Sequence, residues 1–330
     1  MKKTLIALAV LGAAAGVAHA QSNVTIYGVV DTGFIKKSGQ DVEMGENVNN
    51  RLGFRGVEDL GGGMKATFEL ERRFDLNNGE AKNDKDWDGA ANVGLKGDAW
   101  GAVRLGRVNE LTTETIRKFD PFYQYGVAGM IEGTQRSARI DNTIRYDSPN
   151  WSGFHFGASY SLGGNTDSES IDGYMKDVKR ESADNDGYGI MLGYDNGPLS
   201  LVGNWSKVAD SADSTVWNLG AAYRFGPAKV ELLYQQTKDK AISRGGYTGL
   251  DVDALMAMSP DSVNKFFGAD GKYANIAELD SLNQKQWLLG LEWKLGPGRL
   301  NASAQWMEVE FAGTGISDKD IYKYAIGYTY

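Results

Sequence analysis

Few residues of this chain have side chains suited to covalent or metal chemistry. There is no cysteine, and of the two histidines only His155 lies beyond the first twenty residues. On a strand His155 would share a face with Gly157 and Ser159, so a Ser–His pair is one candidate for hydrolysis. No catalytic signature surrounds it, and one histidine without cysteine does not make a typical zinc site. The sequence therefore predicts no enzyme, no metal and no cofactor.

Charged side chains are the second chemical resource, and they gather in the first half of the chain. The bases predicted to share one face of their strands are Arg51, Arg55, Lys65, Arg73, Arg104, Arg139 and Arg145. The acids of the polar segment 109–138 are Glu110, Glu114, Asp120 and Glu132. Opposed rows of bases and acids in a narrow aqueous passage create a transverse field that orients dipolar solutes. Separate solvated ion pairs are the alternative, each contributing about 0–1 kcal/mol.

Acids on the same strands reduce the expected bias toward anions. These acids are Asp31, Glu69, Glu71, Asp141 and Asp147. The balance between the two signs is close, so the prediction is only a mild preference for anions.

The N-terminus has the features of an export signal. Lys2 and Lys3 precede an apolar run, and Ala18-His19-Ala20 fits a signal-peptidase site. The prediction is a signal peptide at 1–20 and one mature domain at 21–330. Removing two lysines changes the formal charge from -8 to -10. Such acidity argues against a nucleic-acid partner.

Composition favours an all-β chain with many turns. The chain has 43 glycines, 16 tyrosines, 12 phenylalanines and 8 tryptophans but only 6 prolines. Beyond the leader, no stretch reaches the 18 or so apolar residues of a membrane helix. A transmembrane barrel needs no such stretch, because only one row of each strand faces lipid.

Alternation of apolar and polar residues marks fourteen strands. They cover 24–35, 51–58, 64–74, 91–97, 101–108, 139–147, 153–162, 187–195, 199–208, 215–225, 229–237, 286–295, 299–309 and 321–330. Tight Gly/Pro/Asn/Asp turns alternate with long polar segments at 36–50, 75–90, 109–138, 163–186, 209–214, 238–285 and 310–320. Short turns at one end and long loops at the other are typical of outer-membrane barrels.

The two faces of each strand agree with a barrel. In QWLLGLEWKL one row runs from Trp287 to Leu295 and is apolar, while the other carries Glu292 and Lys294. Apolar rows ending in aromatic residues match a lipid-facing band between two interfaces. A soluble sandwich would also bury an apolar row, but would not sort its loops by length. The predicted fold is an all-β, transmembrane antiparallel β-barrel, in which inward positions such as Gly290 and Ala222 tolerate serine.

An ordered set of motifs resembles the general diffusion porins of Gram-negative bacteria, of the betaproteobacterial and neisserial type. The motifs are NVTIYGVVDTGF, NRLGFRGVEDLGGGMKATFELE, AWGAVRLGR, FDPF, DNTIRYDSPNWSGF and GAAYRFGP. The resemblance implies sixteen strands, a homotrimer in the outer membrane among lipopolysaccharide, and passive diffusion of small hydrophilic solutes and ions. It also implies that the third long loop, 109–138, folds inward to narrow the channel.

The last strand carries a further implication of the resemblance. Tyr322, Tyr324, Tyr328 and Tyr330 occupy alternate positions of YKYAIGYTY. In the family such a terminal aromatic strand closes the barrel and is recognised by the barrel-assembly machinery. Family members usually end in phenylalanine, and Tyr330 keeps the ring.

Two questions stay open on the sequence alone. The stretch 238–285 is either one large loop on a fourteen-stranded barrel or contains the two further strands that the family implies. An adhesin or structural barrel with a blocked lumen is the alternative function, followed by a barrel enzyme.

Overall fold

The computed structural model describes residues 23–36, 41–82, 85–126, 128–129, 139–163, 186–209, 214–239, 281–312 and 319–329. Sixteen strands lie within these ranges. They are β1 (Asn23–Val29), β2 (Gly33–Lys36), β3 (Val42–Gly45), β4 (Arg51–Gly61), β5 (Met64–Arg73), β6 (Ala90–Gly97), β7 (Gly101–Asn109), β8 (Arg139–Asp147), β9 (Phe154–Ser161), β10 (Gly187–Asn196), β11 (Leu199–Lys207), β12 (Thr215–Phe225), β13 (Ala228–Asp239), β14 (Ser281–Leu295), β15 (Gly298–Ala312) and β16 (Lys319–Thr329). The predicted leader, 1–20, lies outside the described residues.

Fourteen of these strands form one antiparallel sheet. Its order is β1, then β4 to β16 in sequence, and β2 pairs with β3 as a separate hairpin. Apart from the β2–β3 hairpin between β1 and β4, each strand pairs with its neighbour in the chain, which is the up-and-down arrangement of a membrane barrel. The all-β transmembrane barrel predicted from the sequence is confirmed. Among the described residues, no helix is long and apolar enough to cross a membrane.

The fourteen legible strands correspond to the large sheet, and the hairpin brings the described total to sixteen. β13 and β14 pair directly, from Ala228 opposite Trp293 to Asp239 opposite Leu282. No strand is inserted between them in the sheet, and residues 240–280 lie outside the described residues.

Alternate residues of the strands have different surroundings, as predicted. On β12 to β14, Leu219, Leu232 and Leu289 are 51–55% exposed, whereas Asn218 and Glu231 are buried. The first group faces outward, where lipid surrounds a membrane barrel. On the same outward face an aromatic row crosses the sheet. Its ring centroids lie 4.8 Å apart from Trp217 to Tyr234 and 5.1 Å apart from Tyr234 to Trp287.

Two strands depart from the sequence expectation. The segment 24–35 is not one strand, because β1 ends at Val29. The Asp31 carboxylate then accepts hydrogen bonds from the backbone N–H groups of Asn47 and Val48, at 2.8 and 2.6 Å. The pairing of β7 with β8 contains a bulge: from Gly106 to Val108 β7 advances by two residues, while β8 advances by three, from Thr143 to Ile140. The extra residue therefore lies on β8, where Asn142 has a φ of +50°. A bulge adds one residue and reverses the facing of those that follow it.

Candidate pore constriction

A short helix, α1 (Leu111–Ile116), follows β7 directly. The Glu110 carboxylate caps it by accepting a hydrogen bond from the Thr113 N–H at 2.7 Å and one from the Thr112 hydroxyl at 2.5 Å. Such a cap satisfies backbone donors that have no partner within the helix. A 3₁₀ turn, Arg117–Phe119, continues the segment.

The helix and turn lie on an apolar area of the inward face of the sheet, here called the loop seat. It is one buried cluster made by Leu111, Ile116 and Phe119 of the segment with Met191, Val202, Ala222, Leu233 and Leu288 of the wall. Burying each large apolar side chain contributes about 1.5–3 kcal/mol. The inward row of a water-filled barrel is ordinarily polar, so this apolar area exists to hold the segment.

Glycines on the wall let the segment approach closely. A Cβ atom added to Gly220 would lie 3.0 Å from Phe119 ring atoms, and one added to Gly290 would lie 2.5 Å from Pro121 Cγ. Glycine in a strand interior often marks such a close approach. The sequence expectation that Gly290 tolerates serine is therefore not supported by the structure.

Polar bonds secure the far end of the segment to the last strands. The Gly129 carbonyl oxygen accepts hydrogen bonds from Gln305 Nε2 at 3.2 Å and Lys323 Nζ at 2.5 Å. Arg299 donates to the Tyr123 hydroxyl at 3.1 Å, and Lys229 Nζ donates to a carbonyl of the 3₁₀ turn. The described part of 109–138 therefore runs along the inner face of the sheet, from the loop seat under α1 to β16.

The segment also contacts the connection between β3 and β4, near the first strands of the sheet. Gly126 has a φ of +57°, and a Cβ atom added there would lie 3.1 Å from Asn47 Cγ. Asn47 lies between β3 and β4. The described part of the segment thus covers the inner face of β9 to β16 and does not cover β4 to β8, here called the uncovered wall.

The predicted loop acids have separate environments. Glu110 caps α1, and Asp120 is fully buried, with its carboxylate accepting the N–H groups of Phe122 and Gln124 at 2.9 Å each. Glu114 alone turns toward the uncovered wall, where it pairs with Arg145. Glu132 lies outside the described residues.

Glu114, Arg104, Arg145 and Asp147 form one cluster of opposite charges. Arg145 is 3% exposed, and its NH2 lies 2.9 Å from an Asp147 oxygen. Arg104 NH2 lies 2.8 Å from the other Asp147 oxygen and 3.9 Å from Glu114. The wall thus brings two of the predicted bases to one predicted loop acid, and the charges of the cluster compensate one another.

Other predicted bases hold neighbouring segments. Arg139 Nε donates to the Gly89 carbonyl at 2.6 Å, and Arg73 and Arg51 pair with Glu71 at 3.3 and 3.8 Å. The ion pairs of Arg73 and Arg51 with Glu71 reduce the positive charge that the inner face of the wall presents to a solute.

Arg107 is a buried base that the sequence analysis missed. Simple alternation places it on the same face as Leu105, and the register of β7 with β6 runs through Arg107 without interruption, opposite Ala91. It is 6% exposed, with Nε 2.8 Å from the Asp88 carbonyl and NH1 2.5 Å from Asp141. Both partners lie elsewhere in the chain, so no signal in the sequence around Arg107 marks its burial.

Arg55 and Lys65 differ from the other predicted bases. The Arg55 guanidinium lies over the Tyr27 ring at 5.2 Å, and the Tyr27 hydroxyl donates to Glu69 at 2.9 Å and Glu71 at 3.2 Å. Lys65 lies opposite Lys96 in the register. Within the described part of the chain, neither Arg55 nor Lys65 forms an ion pair.

His155 contacts an acid rather than a nucleophile. Its Nε2 lies 3.6 Å from Asp195, and its Nδ1 lies 3.3 Å from the Gly153 carbonyl. Asp195 is also bound by Lys118 at 2.9 Å. Across the described ranges, no hydrogen bond joins His155 to Ser159. His155 and Lys118 instead share Asp195, so His155 takes part in a contact between the wall and the inner segment.

The terminal tyrosines lie on the outward face. Tyr322, Tyr324 and Tyr328 are 55–77% exposed, as is Ile326. Tyr330 lies outside the described residues.

Together, the outward apolar band, the polar inner face and a long segment laid along that face define a transmembrane barrel of the channel-forming class. Comparison with known proteins agrees. A family model described as Gram-negative porin matches residues 7–330. The chain belongs to this family.

Individual relatives cover most of the chain. An outer membrane porin protein of Bordetella pertussis is 31% identical over 365 aligned positions, covering 100% of this chain and 90% of the relative. Outer membrane porin protein 32 of Delftia acidovorans is 38% identical, covering 73% of this chain and 71% of the relative. A solved anion-selective porin from Comamonas acidovorans matches with a TM-score of 0.66 and 25% identity, covering 93% of this chain and 83% of that one.

The chain is thus similar to outer-membrane porins along its length. It resides in the outer membrane of a Gram-negative bacterium and forms a channel for passive diffusion of small hydrophilic solutes and ions.

Proposed function

We propose that the segment 109–138 is the constriction of this channel, and that solutes pass between it and the uncovered wall of β4 to β8. The observation that carries the proposal is the loop seat, because among the described residues the apolar cluster on the inner face is covered by Leu111, Ile116 and Phe119. Contacts from Gly220 on β12 to Lys323 on β16 support the same path.

The selectivity we propose is a mild preference for anions. Its support is Arg55 and Lys65, which form no ion pair among the described residues, beside a compensated cluster at Arg104 and Arg145. The similar porin from Comamonas acidovorans is described as anion-selective, which agrees with this sign.

We also propose that the protein is not an enzyme and that it assembles as a homotrimer. His155 is engaged with Asp195, which leaves Ser159 without a base in the described part. A solved barrel of Vibrio cholerae that has the same fold is described as a trimer form. Cleavage after residue 20, contact with lipopolysaccharide, and recognition of Tyr322, Tyr324, Tyr328 and Tyr330 by the assembly machinery belong to the same proposal.

Deleting residues 113–134 tests the constriction. Liposomes containing the variant should swell in larger sugars than liposomes containing the wild type, because the channel then has the width of the bare barrel. Heat-modifiability on a gel controls for folding. An unchanged size limit in a folded variant would place the narrowest point elsewhere.

A further inference from the structure

The described acids of the inner segment are all used by the protein itself. Glu110 caps α1, Asp120 accepts two backbone N–H groups, and Glu114 is bound by Arg145. A carboxylate held in this way attracts a passing cation weakly, since its charge is already compensated. The described part of the segment therefore does not present an acidic surface to the uncovered wall.

Arg117 is the contrasting group. It follows Glu114 by three residues, and its backbone N–H donates to the Glu114 carbonyl across the end of α1. Residues three apart on a helix lie on one side of it. At about 100° per residue, Glu114 and Arg117 both lie on the side of α1 opposite to the one that Leu111 and Ile116 bury, so Arg117 turns toward the uncovered wall as Glu114 does. The buried side of the segment holds Leu111, Ile116 and Phe119 instead.

The Arg117 guanidinium is fixed in place without a carboxylate. It lies over the Tyr125 ring at 5.8 Å, and its Nε donates to Gln124 Oε1 at 3.4 Å. Over the described ranges Arg117 forms no ion pair, and its side chain is half-buried. A guanidinium stacked on a ring keeps its charge and most of its donors for other partners.

The turn that carries Gln124 and Tyr125 is built at a conformational cost. Tyr123 and Gln124 have φ values of 54° and 63°, which non-glycine residues rarely adopt. The buried Asp120 carboxylate offsets that strain by binding the Phe122 and Gln124 N–H groups. Asp120 thus stabilises the turn whose Gln124 and Tyr125 side chains hold the Arg117 guanidinium in place.

We propose that Arg117 is a selectivity-determining residue of the channel, a cation carried by the inner segment that attracts small carboxylate and phosphate anions as they pass. It acts with Arg55 on the uncovered wall, so that both sides of the passage are positive. The expected transverse field between an acidic loop and a basic wall is replaced here by two bases, neither of which forms an ion pair with a described carboxylate. The inference rests on the proposed constriction.

The size of the effect follows from Coulomb attraction in water. One unit charge about 4 Å from a passing ion changes the local concentration of that ion about fivefold. Ions in a channel pass at a range of distances, so removing Arg117 should lower the anion-to-cation permeability ratio by about two- to threefold.

Reversal potentials in a potassium chloride gradient provide the first test. Arg117→Gln should shift the potential toward cations. Arg72→Gln is the matched control, because it removes the same charge from an exposed position whose partner Asp86 is 83% exposed. Open Arg117→Gln channels with the wild-type potential would overturn the inference while leaving the proposed constriction intact.

A second test uses the absence of cysteine from the chain. Arg117→Cys can be labelled in assembled, conducting channels with a positively or a negatively charged thiol reagent. The positive label should restore anion preference, and the negative label should move the potential further toward cations, with potassium acetate and potassium phosphate giving the same order. Equal potentials after both labels would overturn the inference. If deletion of 113–134 left the solute size limit unchanged, the proposed constriction would fail instead.

Discussion

The two halves of the inner wall use the same strand alternation for opposite purposes. From β4 to β8 the inward row carries bases and acids such as Arg104 and Asp147, which face water or one another. From β10 to β14 the inward row carries Val202, Leu233 and Leu288, which face protein. The outward rows of both halves are alike. The difference teaches that the inner segment is placed by the chemistry of its seat and not by the charges it was expected to oppose.

Removing the largest side chain of the loop seat should have the largest effect. Phe119→Ala loses a fully buried ring, which costs about 3–5 kcal/mol of seating energy. The segment should leave the wall more often, so single-channel conductance should rise and larger sugars should pass. Ile144→Ala, on the outward face of β8, is the control and should keep the wild-type conductance. Equal conductance in both variants would mean that the seat does not hold the segment.

Arginine on the outward face should act alike in both halves. Leu105→Arg on β7 and Leu289→Arg on β14 change residues that are 45% and 51% exposed. Arginine facing lipid near the bilayer centre costs about 2–4 kcal/mol. Both variants should fold poorly by heat-modifiability on a gel. A defect in only one of them would mean that the halves differ on the lipid side as well.

A methyl group added on the inward face, at the loop seat, should disturb the channel, whereas one added on the outward face of the same half should not. Gly290→Ala meets Pro121 at 2.5 Å and must displace it, at an overpacking cost of about 1–3 kcal/mol. Gly203→Ala on the outward face has Leu219 as its nearest neighbour, at 3.5 Å. Only the first should increase current noise in single-channel recordings, because only the first disturbs the segment. Quiet recordings from Gly290→Ala would contradict the close approach.

Charge on the uncovered wall should give the smallest change. Arg55→Ser removes a base without an ion pair and should lower the anion-to-cation permeability ratio by about 1.5- to 3-fold. The pair of changes Arg104→Ser and Asp147→Asn removes both signs from one ion pair and should leave the reversal potential unchanged. A shift in the double variant as large as that of Arg55→Ser would show that ion pairing does not compensate these charges.

The fold could be predicted from the sequence because each strand carries its own alternation of apolar and polar residues. Alternation and turn residues are local, and fourteen strands carry them independently. The path of the inner segment depends instead on contacts between residues far apart in the chain, such as Phe119 with Gly220. No period marks such a contact.

Charge roles were the least predictable feature. Alternation places Arg55 inward correctly, yet it does not mark Arg107 as buried, and no pattern separates the buried Asp120 from Glu114. Whether a charge is compensated depends on partners that only the folded chain brings together. Counting loop acids against wall bases therefore overstates the field between them.

The central claim is that the segment is seated on the wall while the channel conducts, and a reversible cross-link tests it most directly. The ring carbon Cγ of Phe119 lies 3.0 Å from the position of a Cβ atom on Gly220, which is compatible with the spacing of a disulfide. In Phe119→Cys/Gly220→Cys, the reduced channel should have raised conductance because the ring is lost. Oxidation should return the conductance to the wild-type value by tying the segment to its seat. A cross-link that does not form, or that stops conduction when it forms, would contradict the account.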